Sequence, residues 1–176
     1  TRSPDVVVLD PVDPKRGVET PVALDLTLSL PDDAVALNGF GLDGLLDGRL
    51  RVRQRPGTEM LAAGTLEVSG TYEAYGQELA ISRGELTWSN TPIADPLLDI
   101  RAEREVGDVK AGIQVRGRAS APEASVWSDP SMDESEALSY LALGRPLSTA
   151  SSDESKQLDA ASAALAAGGS LLAGQL

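Results

Sequence analysis

The side chains here that could do acid–base chemistry are carboxylates. The chain has 176 residues with 27 Asp and Glu, no His and no Cys. Without histidine the usual general base is missing, and no Ser-His-Asp or Cys-His nucleophile can be assembled. Without cysteine there is no disulfide framework, no redox pair and no thiolate metal site. A glycosidase-like pair of acids is the option left, and it needs one carboxyl raised by burial. Asp99 and Glu103 fall on the charged parity of "LLDIRAER", where they are expected to be solvated. "GFGLDG" at 39–44 matches the glycine spacing of a dinucleotide-binding turn, which must open a helix. The residues directly after it, "LLDGRLRVR", alternate like a strand, so the glycines read as a β-bend. The expectation is a protein that is not an enzyme and holds no cofactor or metal.

The elements around these residues alternate strictly. In "VALDLTLSL", Val22, Leu24, Leu26, Leu28 and Leu30 stand opposite Ala23, Asp25, Thr27 and Ser29. Period two over nine residues predicts a strand about 30 Å long with one wet face. The same alternation places Leu50 and Val52 on one side of "LDGRLRVR". It does so for Leu66, Val68 and Tyr72 in "GTLEVSGTYEA", for Leu79 and Ile81 in "ELAIS", and for Leu86 and Trp88 in "ELTWS". Leu98 and Ile100 come next, then Val109, Ile113 and Val115, then Val126. Turn signals separate the runs, "RG" at 83–84 among them. The pattern predicts eight or nine hairpin-connected strands with an aliphatic inner face and a charged outer one. Arg104 shares the inner parity and is expected to reach water from its strand end. Residues 1–21 read as a short strand, "DVVVL", and an irregular proline-rich linker.

Past Trp127 the composition turns helical. Ser131 and Glu134 read as a capping box, Leu138, Leu141 and Ala142 have helical spacing, and Gly144 suits a C-terminal cap. Ser151 and Glu154 form a second capping signal, an Ala-rich body comes after them, and Gly168-Gly169 end it. This divides the chain into a β domain over 1–130 and a helical segment over 131–176.

Formal net charge is −12, with 15 bases, which argues against nucleic acid and against an anionic membrane surface. No apolar run of about 18 residues is present to span a bilayer. The chain begins at Thr1 and enters at once into "DVVVLD", as a piece of a longer protein would, so any export or anchoring signal is expected outside it. Aromatics are 3%, so the apolar surface is Leu, Val, Ile and Ala.

Several ordered elements carry a family resemblance. They are the turn Ala74–Gln77, the Arg-Gly-Glu-Leu stretch Arg83–Leu86, the block Pro96–Ile100, Ser128–Met132, and Ala137–Leu141. Together they resemble the TamB C-terminal domain family, best over 38–147. The resemblance implies the far end of a large protein with one N-terminal inner-membrane anchor, standing on the periplasmic side of a Gram-negative envelope. It further implies a U-shaped β groove that holds phospholipid acyl chains in transit between the membranes. The implied partners are the outer-membrane barrel protein TamA and nascent outer-membrane proteins, including autotransporters.

Leu30 aside, the eighteen strand residues named above from Leu24 to Val126 on the aliphatic parity are therefore the expected groove lining. Burying acyl methylenes among them would gain about 0.8 kcal/mol each with no directional polar contact. Two other readings stay open at this point. The aliphatic face of a β protein is commonly a sealed core. A sheet edge can also scaffold the assembly of barrel proteins, or serve as a passive spacer.

Overall fold

The computed structural model describes residues 23–39 and 41–167, with backbone alone for 32–34. The expectations for residues 1–22, Phe40 and 168–176 lie outside these. Seven strands form one sheet in chain order: β1 (Leu24–Gly39), β2 (Leu42–Gln54), β3 (Leu61–Ala74), β4 (Gln77–Pro92), β5 (Leu97–Val106), β6 (Val109–Arg118) and β7 (Ala121–Asp129). Every neighbouring pair is antiparallel, and β1 and β7 do not meet, so the sheet is open. Two helices, α1 (Glu134–Leu143) and α2 (Ser152–Ala166), come after the sheet, with a 3₁₀ turn at Leu147–Thr149 between them.

Turn chemistry sets the meander. Tyr75 and Gly76 join β3 to β4 with φ of 53° and 70°, the two positive angles of a type I′ hairpin. The "GFGLDG" glycines belong to the β1–β2 hairpin, with a strand on each side, so the β-bend reading holds. The Arg83-Gly84 turn does not form. β4 runs unbroken through it, so two of the expected strands are one, and the expected "DVVVL" strand lies outside the described residues. Ser82 bulges out of the β4–β5 ladder, and the parity recovers with Arg83 facing Arg101 and Gly84 facing Ile100. β1 likewise continues past Leu30 to Gly39, with a register slip between Leu30 and Val35 around Pro31. An edge strand tolerates a proline that a central strand would not.

The sheet curls because glycine replaces side chains where strands crowd. Gly70 of β3 has φ 123° and faces Gly44 of β2. A Cβ there would lie 2.3 Å from the Asp43 carbonyl oxygen and 2.5 Å from Gly44 Cα. Gly64 repeats the arrangement at φ 138°, with the Arg49 carbonyl at 2.2 Å. Glycine kinks of this kind bend a strand sharply toward one face.

Two apolar clusters form on that face. One gathers Leu50, Val52, Ala62, Leu66 and Trp88 from β2–β4, and the Trp88 indole donates to the Ile93 carbonyl at 3.0 Å. The other joins Leu79, Ala102 and Ala111 to Leu138 and Leu141 of α1 and Leu158 of α2. The helices thus pack on β5–β7.

Helix caps differ from expectation at one site. The Ser131–Glu134 box is not made: α1 begins after Asp133, without a side-chain cap, and the Met132 N–H is taken by Ser128 Oγ at 3.2 Å. Gly144 closes α1 at φ 70°, donating to the Tyr140 carbonyl. The Ser151–Glu154 box is complete, with the Ser151 N–H at 2.7 Å from Glu154 and the Glu154 N–H at 3.3 Å from Ser151. Ser151→Ala is expected to cost α2 about 1 kcal/mol, read as lost helical circular dichroism on mild heating.

Candidate functional site

Register places all eighteen expected lining residues on one face of the sheet. One cross-strand row runs Val35, Leu46, Val68, Gly84, Ile100, Val115 and Ala124 from β1 to β7. Six interstrand steps of about 4.8 Å make this row about 29 Å long. Beside it, Leu30, Leu66, Leu86 and Leu98 share a second row.

Burial divides the eighteen. Leu50, Val52, Leu66, Leu79 and Trp88 are buried within the two clusters. Leu24, Tyr72, Ile81, Leu86, Ile113 and Val126 are half-buried and packed against a cluster. Val68, Leu98, Ile100, Val109 and Val115 are half-buried and belong to neither cluster. At the β1 edge, Leu26 and Leu28 remain 44% and 41% exposed. The face is therefore sealed at parts of its area and accessible along a strip between them.

Ile113 packs against the helix-bearing cluster. Arg104, expected to reach water, instead donates from Nη1 to the Leu141 carbonyl at 3.0 Å. An α1 carbonyl at the C-terminal turn has no intrahelical partner, so the guanidinium completes it. The sequence allows the helices to pack over one end of the sheet, but α1 has few apolar positions and its partner surface comes from three strands, so the seat on β5–β7 is not specified locally.

The outer face holds a polar cluster that parity alone does not reveal. Asp99, expected to be simply solvated, is 26% exposed and pairs with Arg83 at 2.8 Å and Arg116 at 3.5 Å. Glu103 accepts from Ser82 Oγ at 3.0 Å. Gln114 is outward by register yet only 8% exposed. With its amide oxygen turned to Arg116 it accepts from Nε at 2.8 Å. Arg101 stacks over Trp127 at 4.5 Å, covering an aromatic that points away from the aliphatic side. These contacts tie β4–β7 together and set opposite charges against each other across the strands.

Among the described residues, three carboxyls are held below the ordinary carboxylate range. Asp25 is lowered by its bond from Arg51, Asp95 by the backbone N–H of Ser120, and Glu154 by the backbone N–H of Ser151 and then by Arg145. A depressed carboxyl pKa adds stability above the unfolded value, about pH 4, which is lost as pH falls through the folded value. Acidification from neutral is therefore expected to fray α2 first below about pH 4, tracked by helical circular dichroism. Glu154→Gln is expected to remove that pH dependence from the α2 signal. Among the described residues, no group of His, Cys, Asp or Glu is placed to hold a metal ion, and no helix is long and apolar enough to cross a membrane.

An open, curled antiparallel meander with one aliphatic face, with two helices seated on its last strands, defines the class of this protein. Within it, the chain belongs to the TamB C-terminal domain family, whose model matches residues 3–176. It is similar to the translocation and assembly module subunit TamB of Haemophilus influenzae, 36% identical over 138 residues. That match covers 76% of this chain and 10% of the relative, so the chain spans about a tenth of that protein's length. No solved structure matches the chain.

Proposed function

We propose that the aliphatic face is a trough that holds phospholipid acyl chains, as part of an envelope-spanning conduit on the periplasmic side of the inner membrane. The observation that carries this reading is the accessible strip. Val68, Ile100 and Val115 share one cross-strand row, with Leu98 in the row beside it, and all four are half-buried and belong to neither cluster. A monomeric soluble domain seldom leaves a continuous aliphatic band uncovered without a ligand or partner for it. The row of about 29 Å equals the hydrocarbon thickness of a bilayer, about 30 Å, the length of two acyl chains end to end. Val, Leu and Ile give such a chain a uniform wall. Each buried methylene gains about 0.8 kcal/mol wherever it lies, so lipid can be held and still slide. The work is binding and transfer, without catalysis and without a cofactor.

A phospholipid with a fluorescent acyl chain, presented in liposomes of neutral phospholipid, tests this. The chain is expected to extract the probe with a blue-shifted emission, saturably. Emission that stays at its liposome value over excess protein would contradict the trough.

The open edges favour a second reading. Neither β1 nor β7 is paired on its outer side among the described strands, and unpaired edges accept an added strand. In that reading the face scaffolds nascent outer-membrane barrel proteins together with TamA, within the translocation and assembly module that the relative's name carries. It predicts tolerance to polar groups on the aliphatic strip and sensitivity to proline in an edge strand.

A further inference from the structure

We propose that α1 and α2 form a removable stopper that occupies the last three strands in place of lipid, an inference that rests on the trough reading. α1 presents Leu138 and Leu141, both at 0% exposure, to Leu79, Ala102 and Ala111. These strand positions continue the same face as the accessible strip, one row or more further along each strand. The helix therefore contributes to that end what an acyl chain contributes elsewhere: branched or methylene carbon against Leu, Ile and Ala.

Beside its apolar packing on the sheet, the helix pair carries polar bonds of its own. Arg145 Nη2 bonds Glu154 at 2.5 Å, Ser139 Oγ donates to the Arg145 carbonyl at 2.8 Å, and the Leu147 N–H reaches Glu136 at 3.3 Å. Ser162 also bonds Glu134, linking the two helices directly. From the sheet strands, the polar side-chain ties to α1 are two among the described residues. Arg104 reaches the Leu141 carbonyl and Gln77 reaches the Ala142 carbonyl at 3.4 Å. Both grip the C-terminal turn of α1, and the segment from Pro130 to Asp133 tethers the other end to β7. A body with internal bonds, an apolar underside and two peripheral latches can leave as a whole when another apolar ligand replaces its underside. Lipid that binds only the vacated state would see its apparent affinity reduced by the vacant fraction. Unlatching raises that fraction.

Spin labels at Ser135→Cys on α1 and Glu123→Cys on β7 test the idea in the whole chain. Both sites are exposed, and the sequence offers no other cysteine. Their separation is read by pulsed electron resonance as oleate is added, with bound oleate counted by native mass spectrometry. The stopper predicts a longer-distance population that grows with bound oleate. It also predicts oleate affinity on the order of tenfold tighter in R104A/Q77A, since each lost hydrogen bond had favoured the seated state. Oleate bound at unchanged distances, with unchanged affinity in R104A/Q77A, would overturn the stopper and leave the trough standing. Absence of oleate binding in both proteins would overturn both. The distance measurement on the otherwise native chain decides the matter even if R104A/Q77A folds poorly.

Discussion

Replacing Gly70 with valine is expected to lower the thermal midpoint by about 10 °C and to flatten the near-ultraviolet signal of the tryptophans. Gly70 sits at φ 123°, where a β-branched residue is strained by about 1–3 kcal/mol. Its new Cβ would also meet backbone, the Asp43 oxygen at 2.3 Å and Gly44 Cα at 2.5 Å, and backbone in a paired strand cannot rotate aside. Overpacking of this kind adds about 1–3 kcal/mol. A total near 3 kcal/mol in a domain of this size shifts the midpoint by about 10 °C. Valine at Gly57 is the comparison. It has φ 71° but nothing within 4 Å of its added Cβ, so the strain remains and the collision does not. Scanning calorimetry of the two variants separates the terms.

The second large effect is functional. Ile100→Asp in the full-length protein is expected to reduce lipid occupancy about a hundredfold while leaving the chain folded. Ile100 lies mid-row between Gly84 and Val115, half-buried and outside both clusters, so its loss removes little core packing. A carboxylate facing hydrocarbon costs about 2.5–3.5 kcal/mol, and about 1.4 kcal/mol is one decade of occupancy. Ser125→Asp introduces the same charge at an exposed outward position of β7, opposite Gln114, and is expected to leave lipid occupancy unchanged. Retained function in Ile100→Asp, with function lost on placing proline in an edge strand, would favour strand addition.

Parity was the legible part of the sequence. From Leu24 to Val126, the apolar residues predicted to share a face do share it, because each strand is long enough for period two to be unambiguous. Interruptions were harder. Arg83-Gly84 carries a turn composition, yet β4 runs straight on. Gly84 lies so close to the Val68 carbonyl, 2.2 Å from an added Cβ, that its glycine serves packing between strands. The bulge at Ser82 then absorbs the extra residue. Nothing local distinguishes a glycine that turns a chain from one that lets two chains touch.

Cap chemistry was legible where the side chain had no rival. Ser151 and Glu154 close on each other, whereas the Ser131 signal fails as α1 starts only after Asp133. Partners drawn from three strands were not legible at all. Asp99 is held by arginines of β4 and β6, and Arg104 by a helix some forty residues on. The division of the aliphatic face into sealed and accessible parts was equally hidden, since it depends on where α1 lands and on how β2–β4 close around Trp88.

In-cell photocrosslinking reports what lies against the aliphatic face. A photoreactive amino acid is placed at Ile100 in the full-length protein, with a second version at the outward, exposed Lys110 as control. Ile113 and Gln114 are poorer choices, because α1 packs at the first and the second is buried beside Arg116. A lipid-filled trough gives phospholipid adducts at Ile100 and none at Lys110. Full incorporation at Ile100 with no lipid adduct, or with adducts to protein alone, would contradict it.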